Sequence, residues 1–339
     1  MNKFSDIAVI GSGSWGTALA VLLSRNGHEV KLWGHKSEHV IQLASDRENK
    51  KYLPGLTFPV NLTPMYDLKE VVQGSDIVLM VVPSHAFREI FLKVSPYLEE
   101  KCHIISAVKG IENETLATMT QIAEEILSKS KTKNYNNEIG VLSGPSFAKE
   151  VALCMPTAVT IGFKKIEVAI EIQQIFVNEY FRVYASSDVI GIEICSAFKN
   201  VIAIAAGVCE GLGYGLNTRA ALITRGLAEM KRLGKKLNAE DGTFSGLSGI
   251  GDLLLTCTGD LSRNRMVGIK LGQGQKINQI VEEMSMVAEG IKTTRSVYDL
   301  ATKLAIEMPI LEQVYQIIYQ SKQCTLAVRD LLSRELKVE

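Results

Sequence analysis

The run from Ile190 to Val208 constrains this chain more than any other stretch. It is apolar on almost every side, yet it carries Glu193, Lys199 and Asn200. A helix without a polar face belongs in a protein core or in a membrane. Three polar groups in so short a span argue against the bilayer, where each is costly and rare. A buried core helix is therefore expected, and Lys199 becomes the residue to explain. An unpaired ammonium taken out of water costs several kcal/mol, a large part of a domain's net stability. Two placements meet that cost: pairing inside the core, or a stem that lies along the core and carries its head to solvent. This window leaves both open.

A chain of 339 residues suggests two domains. With 46% hydrophobic and 22% charged residues it reads as a soluble globular protein. Its formal net charge is zero, so no basic field favours nucleic acid or an acidic membrane, and no membrane insertion is expected. Cysteines fall at positions 102, 154, 195, 209, 257 and 324 without a Cys-x-x-Cys pair. They read as reduced core residues, with no metal site. The first ten residues lack a signal-peptide hydrophobic region, which points to the cytoplasm. All five histidines (28, 35, 39, 85 and 103) precede residue 104. Any proton transfer in the second half must use another donor.

The first half alternates strand and helix patterns. Ile7 to Ile10 is a β-branched run suited to a buried parallel strand. Gly11-Ser-Gly-Ser-Trp-Gly16 follows, then a helical pattern from Thr17 to Asn26 and a second strand from Glu29 to Trp33. That context is what the dinucleotide-binding fingerprint requires. Gly11 permits the tight turn, Gly13 the approach of a pyrophosphate, and Gly16 the packing of helix on strand. The acidic residue that would bind an adenosine ribose is missing, because the second strand ends in Trp33-Gly-His-Lys36. NADP is thereby permitted as well as NAD. Strands are further expected at residues 76–83, 103–106, 139–142, 157–161 and 181–184. Helices are expected from Ser84 to Leu98, Thr115 to Leu127 and Ile166 to Phe176. The pattern indicates an α/β fold with a doubly wound, mostly parallel sheet. Lys109, at a strand's carboxyl end, can reach an anionic ligand. Gly144 and Ser146 sit in a turn whose backbone donors and hydroxyl can do the same.

The boundary falls near Asp188, giving a dinucleotide-binding domain over 1–188 and a helical domain over 189–339. Helices are expected at 218–233, 250–256, 263–271, 277–284, 291–304 and 309–319. Asp252 opens an apolar run, where an aspartate most often serves as a helix cap. Ser262-Arg-Asn264 reads as another helix start, with Arg263 able to fork onto a phosphate.

These segments resemble one family over nearly the whole length. Gly11 to Gly16, Val82-Pro-Ser-His-Ala86, Lys109-Gly110, Leu142-Ser-Gly-Pro-Ser-Phe-Ala148, Lys199-Asn200, Gly249-Ile-Gly-Asp-Leu253, Ser262-Arg-Asn264 and Val287-Ala-Glu-Gly290 occur in order. The chain resembles the bacterial-type NAD(P)-dependent glycerol-3-phosphate dehydrogenases. The resemblance implies a Rossmann-type domain followed by an all-helical one. It also implies reversible reduction of dihydroxyacetone phosphate to sn-glycerol 3-phosphate with NADPH or NADH, supplying the phospholipid backbone. It leaves room for a homodimer. Carried over residue by residue, Lys199 matches the proton-transferring lysine. Lys109, Gly144, Ser146, Asp252, Ser262, Arg263 and Asn264 match positions that hold substrate. Ser14, Trp15, His35, Ala148, Val287 and Glu289 match cofactor contacts, as Lys109 and Arg263 do in part. Two departures stand out. Leu216 replaces an aspartate common in that loop, and Met266-Val267 replaces an Arg-aromatic pair.

Two other functions fit parts of this pattern. One is a related two-domain 3-hydroxyacid dehydrogenase, opposed by the Ser262-Arg-Asn264 cluster and by the lack of a histidine after residue 103. The other is a regulator that binds NADPH without turnover, opposed by the joint presence of Lys199, Lys109 and Asp252. Burial of Lys199 beside Lys109 should lower its pKa toward neutrality, with Asp252 partly opposing.

Overall fold

The computed structural model describes residues 5–129, 137–284 and 288–336. The chain divides into two units, one spanning Met1–Val108 and Thr118–Ile192, the other Lys109–Ala117 and Glu193–Glu339. The helical unit thus includes a short segment that a contiguous division at Asp188 assigns to the first.

In the first unit the elements run β1 (Asp6–Ile10), α1 (Ser14–Arg25), β2 (Glu29–Trp33), α2 (Ser37–Asp46), β3 (Glu48–Asn49), β4 (Leu53–Thr57), β5 (Leu62–Met65), α3 (Leu68–Val72) and β6 (Ile77–Met80). They continue with α4 (Phe87–Val94), β7 (His103–Ser106), α5 (Met119–Ser128), β8 (Ile139–Ser143), α6 (Ala148–Ala152), β9 (Thr157–Phe163), α7 (Ile166–Phe176) and β10 (Phe181–Ser186). Eight strands form one sheet in the order β10-β9-β8-β7-β6-β1-β2-β5, and β3 pairs with β4 apart from it. Every pairing in the large sheet is parallel except β8 with β9. This is the expected doubly wound, mostly parallel architecture. β1 and β6 are buried along nearly their whole length, as strands covered on both faces must be. They sit where the strand order reverses, so the loops after them mark the usual ligand crevice of such sheets.

Two expectations need correction. The helix expected from Ser84 to Leu98 is broken into a 3₁₀ turn (Ser84–Ala86), α4, and a second 3₁₀ turn (Ser95–Tyr97). Pro96 ends α4, because its ring lacks an N–H and clashes with the preceding turn. Strand β5, Leu62-Thr-Pro-Met65, adds to the expected strands. Pro64 is tolerated because β5 lies at the sheet's edge, where a missing donor costs nothing.

The second unit is built on α8 (Val189–Gly211), whose first four residues count with the sheet unit. It continues through α9 (Leu216–Lys236), α10 (Asp241–Phe244), α11 (Asp252–Thr258), α12 (Arg263–Gly272), α13 (Ile277–Glu283), α14 (Glu289–Lys303), α15 (Pro309–Tyr319) and α16 (Cys324–Leu332). A π-helical turn, Leu247–Gly251, precedes α11. α8 is long and apolar enough to cross a membrane, but 94% of its most apolar window is buried inside the protein. It is a core helix. Lys199 and Asn200 are each 5% exposed and Glu193 is 2% exposed, so the snorkelling placement of Lys199 is excluded.

What draws α8 so deep is its contact with α12. Gly207 and Gly211 on α8 face Gly268 and Gly272 on α12, each pair one helical turn apart. A Cβ on Gly207 would lie 2.0 Å from the Arg265 carbonyl oxygen, and one on Gly268 would lie 2.0 Å from that of Ile204. Only glycine lets two helix backbones approach this closely. Gly268→Ala should therefore destabilise the protein by at least about 2 kcal/mol, in the range of core overpacking. Gly242→Ala, whose Cβ meets nothing within 4 Å, should stay within about 0.5 kcal/mol of the parent. Thermal unfolding of both variants checks this, and equal midpoints would show that α8 and α12 have room to part.

Candidate active site

On the first unit, the turn after β1 is shaped by its glycines. Gly11 has φ +127°, and a Cβ there would strike the Val81 carbonyl just beyond β6. A Cβ on Gly16 would strike the carbonyl of Gly11 itself. Gly13, at the N-cap of α1, faces open space, and no side chain caps the helix. No acidic residue occupies the first turn of α1, so the N-terminus of the helix can serve as an anion site. The indole Nε1 of Trp15 is buried without a hydrogen-bond partner among the described residues. Ser14 Oγ donates to the Tyr52 carbonyl at 2.7 Å, which ties the turn to the β3–β4 region. These features fit the pyrophosphate of a dinucleotide.

Past the end of β2, His35 is exposed. The structure surrounds it with a basic group that the sequence did not single out. The His39 pKa is held below its ordinary value by burial, then by Lys51, His35 and Lys36. The Lys51 ammonium also lies over the Tyr52 ring, 5.1 Å from its centroid. On the same unit, Gly144 takes φ +145° and packs against Val159. Ser146 Oγ donates to the Gly144 carbonyl at 2.9 Å, closing the turn before α6, of which Ala148 is the first residue.

The second unit brings Lys109, Lys199 and Asp252 together. One carboxylate oxygen of Asp252 accepts from Lys199 Nζ, and the other accepts from Lys109 Nζ at 3.0 Å. Asp252 is 1% exposed. Burial alone would raise its pKa, but the two lysines outweigh that and hold it below the carboxylate range. Burial lowers the pKa of Lys199 to about 7, with Lys109 adding to the fall and Asp252 opposing it. Asp252 is not a helix cap. Gly251 occupies the N-cap of α11, and the carboxylate is spent on the lysines.

Asn200, the neighbour of Lys199 on α8, is bonded to α12. Asn264 Nδ2 donates to Asn200 Oδ1 at 2.9 Å, and Asn264 Oδ1 accepts the Gly290 amide at 2.9 Å. Ser262 is the N-cap of α12, its hydroxyl accepting from the Arg265 amide at 3.3 Å. Arg263 extends from the first position, with a pKa lowered by partial desolvation and opposed by Glu289. Glu289 opens α14. Val287 lies outside the described residues.

The comparisons with known proteins agree on both units. The family model described as the NAD-dependent glycerol-3-phosphate dehydrogenase N-terminus matches residues 6–169, and the C-terminal model of that family matches residues 188–329. The chain belongs to that family. A glycerol-3-phosphate dehydrogenase (NAD(P)+) of Desulfotalea psychrophila is 58% identical over 338 residues, covering 100% of this chain and 99% of the relative. One from Geobacter sp. (strain M21) is 54% identical, covering 98% of each. The crystal structure of glycerol-3-phosphate dehydrogenase from Coxiella burnetii has a TM-score of 0.92 at 39% identity, over 98% of this chain and 99% of that one.

In this dehydrogenase, sequence reasoning passed over Thr256 and gave Asn200 no role beyond its place in the core run. Thr256 Oγ1 accepts from Lys199 Nζ at 3.0 Å and donates to the Asp252 carbonyl at 2.6 Å. The signal was present, because residues four apart share a helix face and Thr256 follows Asp252 by four. If Asp252 sets the charge of Lys199, Asp252→Asn should move the Lys199 titration well below pH 7, since the carboxylate is what supports the ammonium. NMR titration of ¹⁵N-labelled lysine Nζ would follow it directly. A midpoint unchanged or raised would refute that electrostatic assignment.

Proposed function

We propose that this chain catalyses the reversible reduction of dihydroxyacetone phosphate to sn-glycerol 3-phosphate, with Lys199 transferring the proton. The observation that carries the reading is a buried lysine hydrogen-bonded to Asp252 and Thr256 in a member of this family, its pKa lowered by desolvation to about 7. A group that titrates near the working pH can both give and take a proton. Reduction draws on the ammonium form, which prevails below that pKa and is lost above it. Oxidation draws on the amine. The hydride is supplied by the nicotinamide dinucleotide when it is bound at the Gly11–Gly16 turn. Lys199 delivers its proton to the carbonyl oxygen as that oxygen becomes an alkoxide. Asp252 fixes the ammonium by one oxygen and leaves Lys109 to the other. Arg263, Asn264 and the amides at the start of α12 are suited to hold the phosphate, positioning the ketone rather than breaking bonds. All six cysteines are free thiols, which supports a cytoplasmic setting.

Lys199→Met keeps the length and packing of the side chain and removes the proton. Turnover of dihydroxyacetone phosphate should fall at least ~10²-fold, the usual contribution of a positioned acid. NADPH binding, followed by cofactor fluorescence, should hold. Turnover within a few-fold of the parent would remove Lys199 from the mechanism.

The cofactor reading follows from the end of β2. No carboxylate stands there to bind a ribose hydroxyl, and the ammoniums of Lys36 and Lys51, both felt by His39, offer positive charge instead. NADPH should be used at least as well as NADH, and His35→Asp should shift preference toward NADH by repelling the 2′-phosphate. The decay of nicotinamide absorbance with each cofactor decides it. A parent enzyme that ignores NADPH would overturn this reading of β2.

A further inference from the structure

We propose that Arg265, anchored by Glu210, is a positioning residue for the substrate's phosphate; the inference rests on the reading of Arg263 and Asn264 as the phosphate site. Arg265 is two positions beyond Arg263 and points the other way into the unit, its side chain 8% exposed. Its guanidinium forks onto Glu210, Nη2 donating to Oε1 at 2.7 Å and Nε to Oε2 at 2.9 Å. The remaining nitrogen, Nη1, donates to Asp260 Oδ1 at 3.0 Å and to the Gly259 carbonyl at 3.4 Å. One planar group therefore binds the end of α8 and the turn that leads into α12. A two-pronged guanidinium–carboxylate pair is directional as well as strong.

Glu210 is itself fixed from a second side, since Arg219 Nη2 of α9 donates to its Oε2 at 2.6 Å. Two arginines meet two carboxylates in this cluster, so its charge balances. It has no net charge with which to attract a phosphate directly. What it controls is the placement of the chain at 259–265. Arg265's own amide also donates to Ser262 Oγ, so both ends of the first turn of α12 are held by one residue. Arg263 and Asn264 lie inside that turn. Without the fork, the turn at Gly259–Asp260 loses its side-chain support and the first turn of α12 can shift. A small misplacement of Arg263 and Asn264 is enough to weaken their hold on the phosphate.

The test compares dihydroxyacetone phosphate with unphosphorylated dihydroxyacetone in Arg265→Lys, Glu210→Gln and Asp260→Ala enzymes, with Arg263→Lys as reference. Arg265→Lys should raise KM for dihydroxyacetone phosphate about tenfold and leave kcat within threefold. Its kcat/KM for dihydroxyacetone and the midpoint of its pH profile should not move. Glu210→Gln should show the same selectivity. Asp260→Ala, altering a residue whose side chain is 95% exposed, folds safely and should raise KM two- to threefold. Equal losses on both substrates in these variants, or a fall in kcat with KM unchanged, would make the cluster merely structural and overturn the inference. If Arg263→Lys is selective for the phosphate and none of the three cluster variants is, only this inference fails. If Arg263→Lys loses equally on both substrates, the phosphate site itself is misassigned.

Discussion

The contact of α8 with α12 is the constraint on which the helical unit depends. Four glycines remove the side chains that would hold these helices about 8–10 Å apart, and the carbonyls of Ile204 and Arg265 lie over the bare Cα positions of the partner helix. That closeness has a chemical consequence. Lys199 and Asn200 lie on α8 about two to three turns before its glycines, and Arg263 and Asn264 lie about one to two turns before those of α12. The Asn200–Asn264 hydrogen bond, at 2.9 Å, is possible because the backbones have already met. The residues proposed for proton transfer and phosphate recognition are thus brought together by one helix crossing rather than by two loops.

The crossing also buries a lysine, and the charges around it decide what that lysine does. Desolvation of an ammonium costs several kcal/mol, while an opposite charge about 4 Å away returns about 4 kcal/mol at an effective dielectric near 20. The terms are comparable, so neither a permanently charged nor a permanently neutral Lys199 results. Lys109 tips the balance, since it repels Lys199 and claims the second oxygen of Asp252. A carboxylate given wholly to Lys199 would hold the proton too firmly for exchange. Shared between two lysines, Asp252 leaves Lys199 near neutrality.

The sheet and the helical order were legible in the sequence because burial writes them directly. β1, β2 and β7 are short β-branched or apolar runs between turn residues, and α15 begins at Pro309 as a helix start should. What escaped were elements whose residues argue locally for something else. β5 carries a proline and pairs only on one side. α16 is a short helix with one fully buried residue, Ala327, so its periodic signal is weak. In the site, Lys199 drew notice because a lysine contradicts its apolar surroundings and Lys109 because it ends a strand, while the functional role of Asp252 followed from the resemblance. Thr256 offered no such contradiction, because a threonine in a helix is ordinary. The basic group at His39 and Lys51 was hidden for a different reason. It is assembled from β2, α2 and the β3–β4 turn, and no sequence spacing joins them.

Charge finally links phosphate recognition to the proton on Lys199. With both lysines protonated and Asp252 ionised, the triad carries one net positive charge in a setting of low exposure. A phosphate dianion held at Arg263 and the start of α12, as proposed, would add negative charge on the helix that bonds through Asn264 to Asn200, the neighbour of Lys199. Negative charge nearby favours the protonated form of a lysine. If Lys199 is the acid as proposed, binding the ketone phosphate there would raise its proton affinity and load the acid that reduction consumes. An uncharged analogue brings no such bias, and its Lys199 keeps the proton affinity of the free protein. On the proposed assignment, the phosphate would be a handle for binding and would also set the protonation state of the residue that acts on the other end of the molecule.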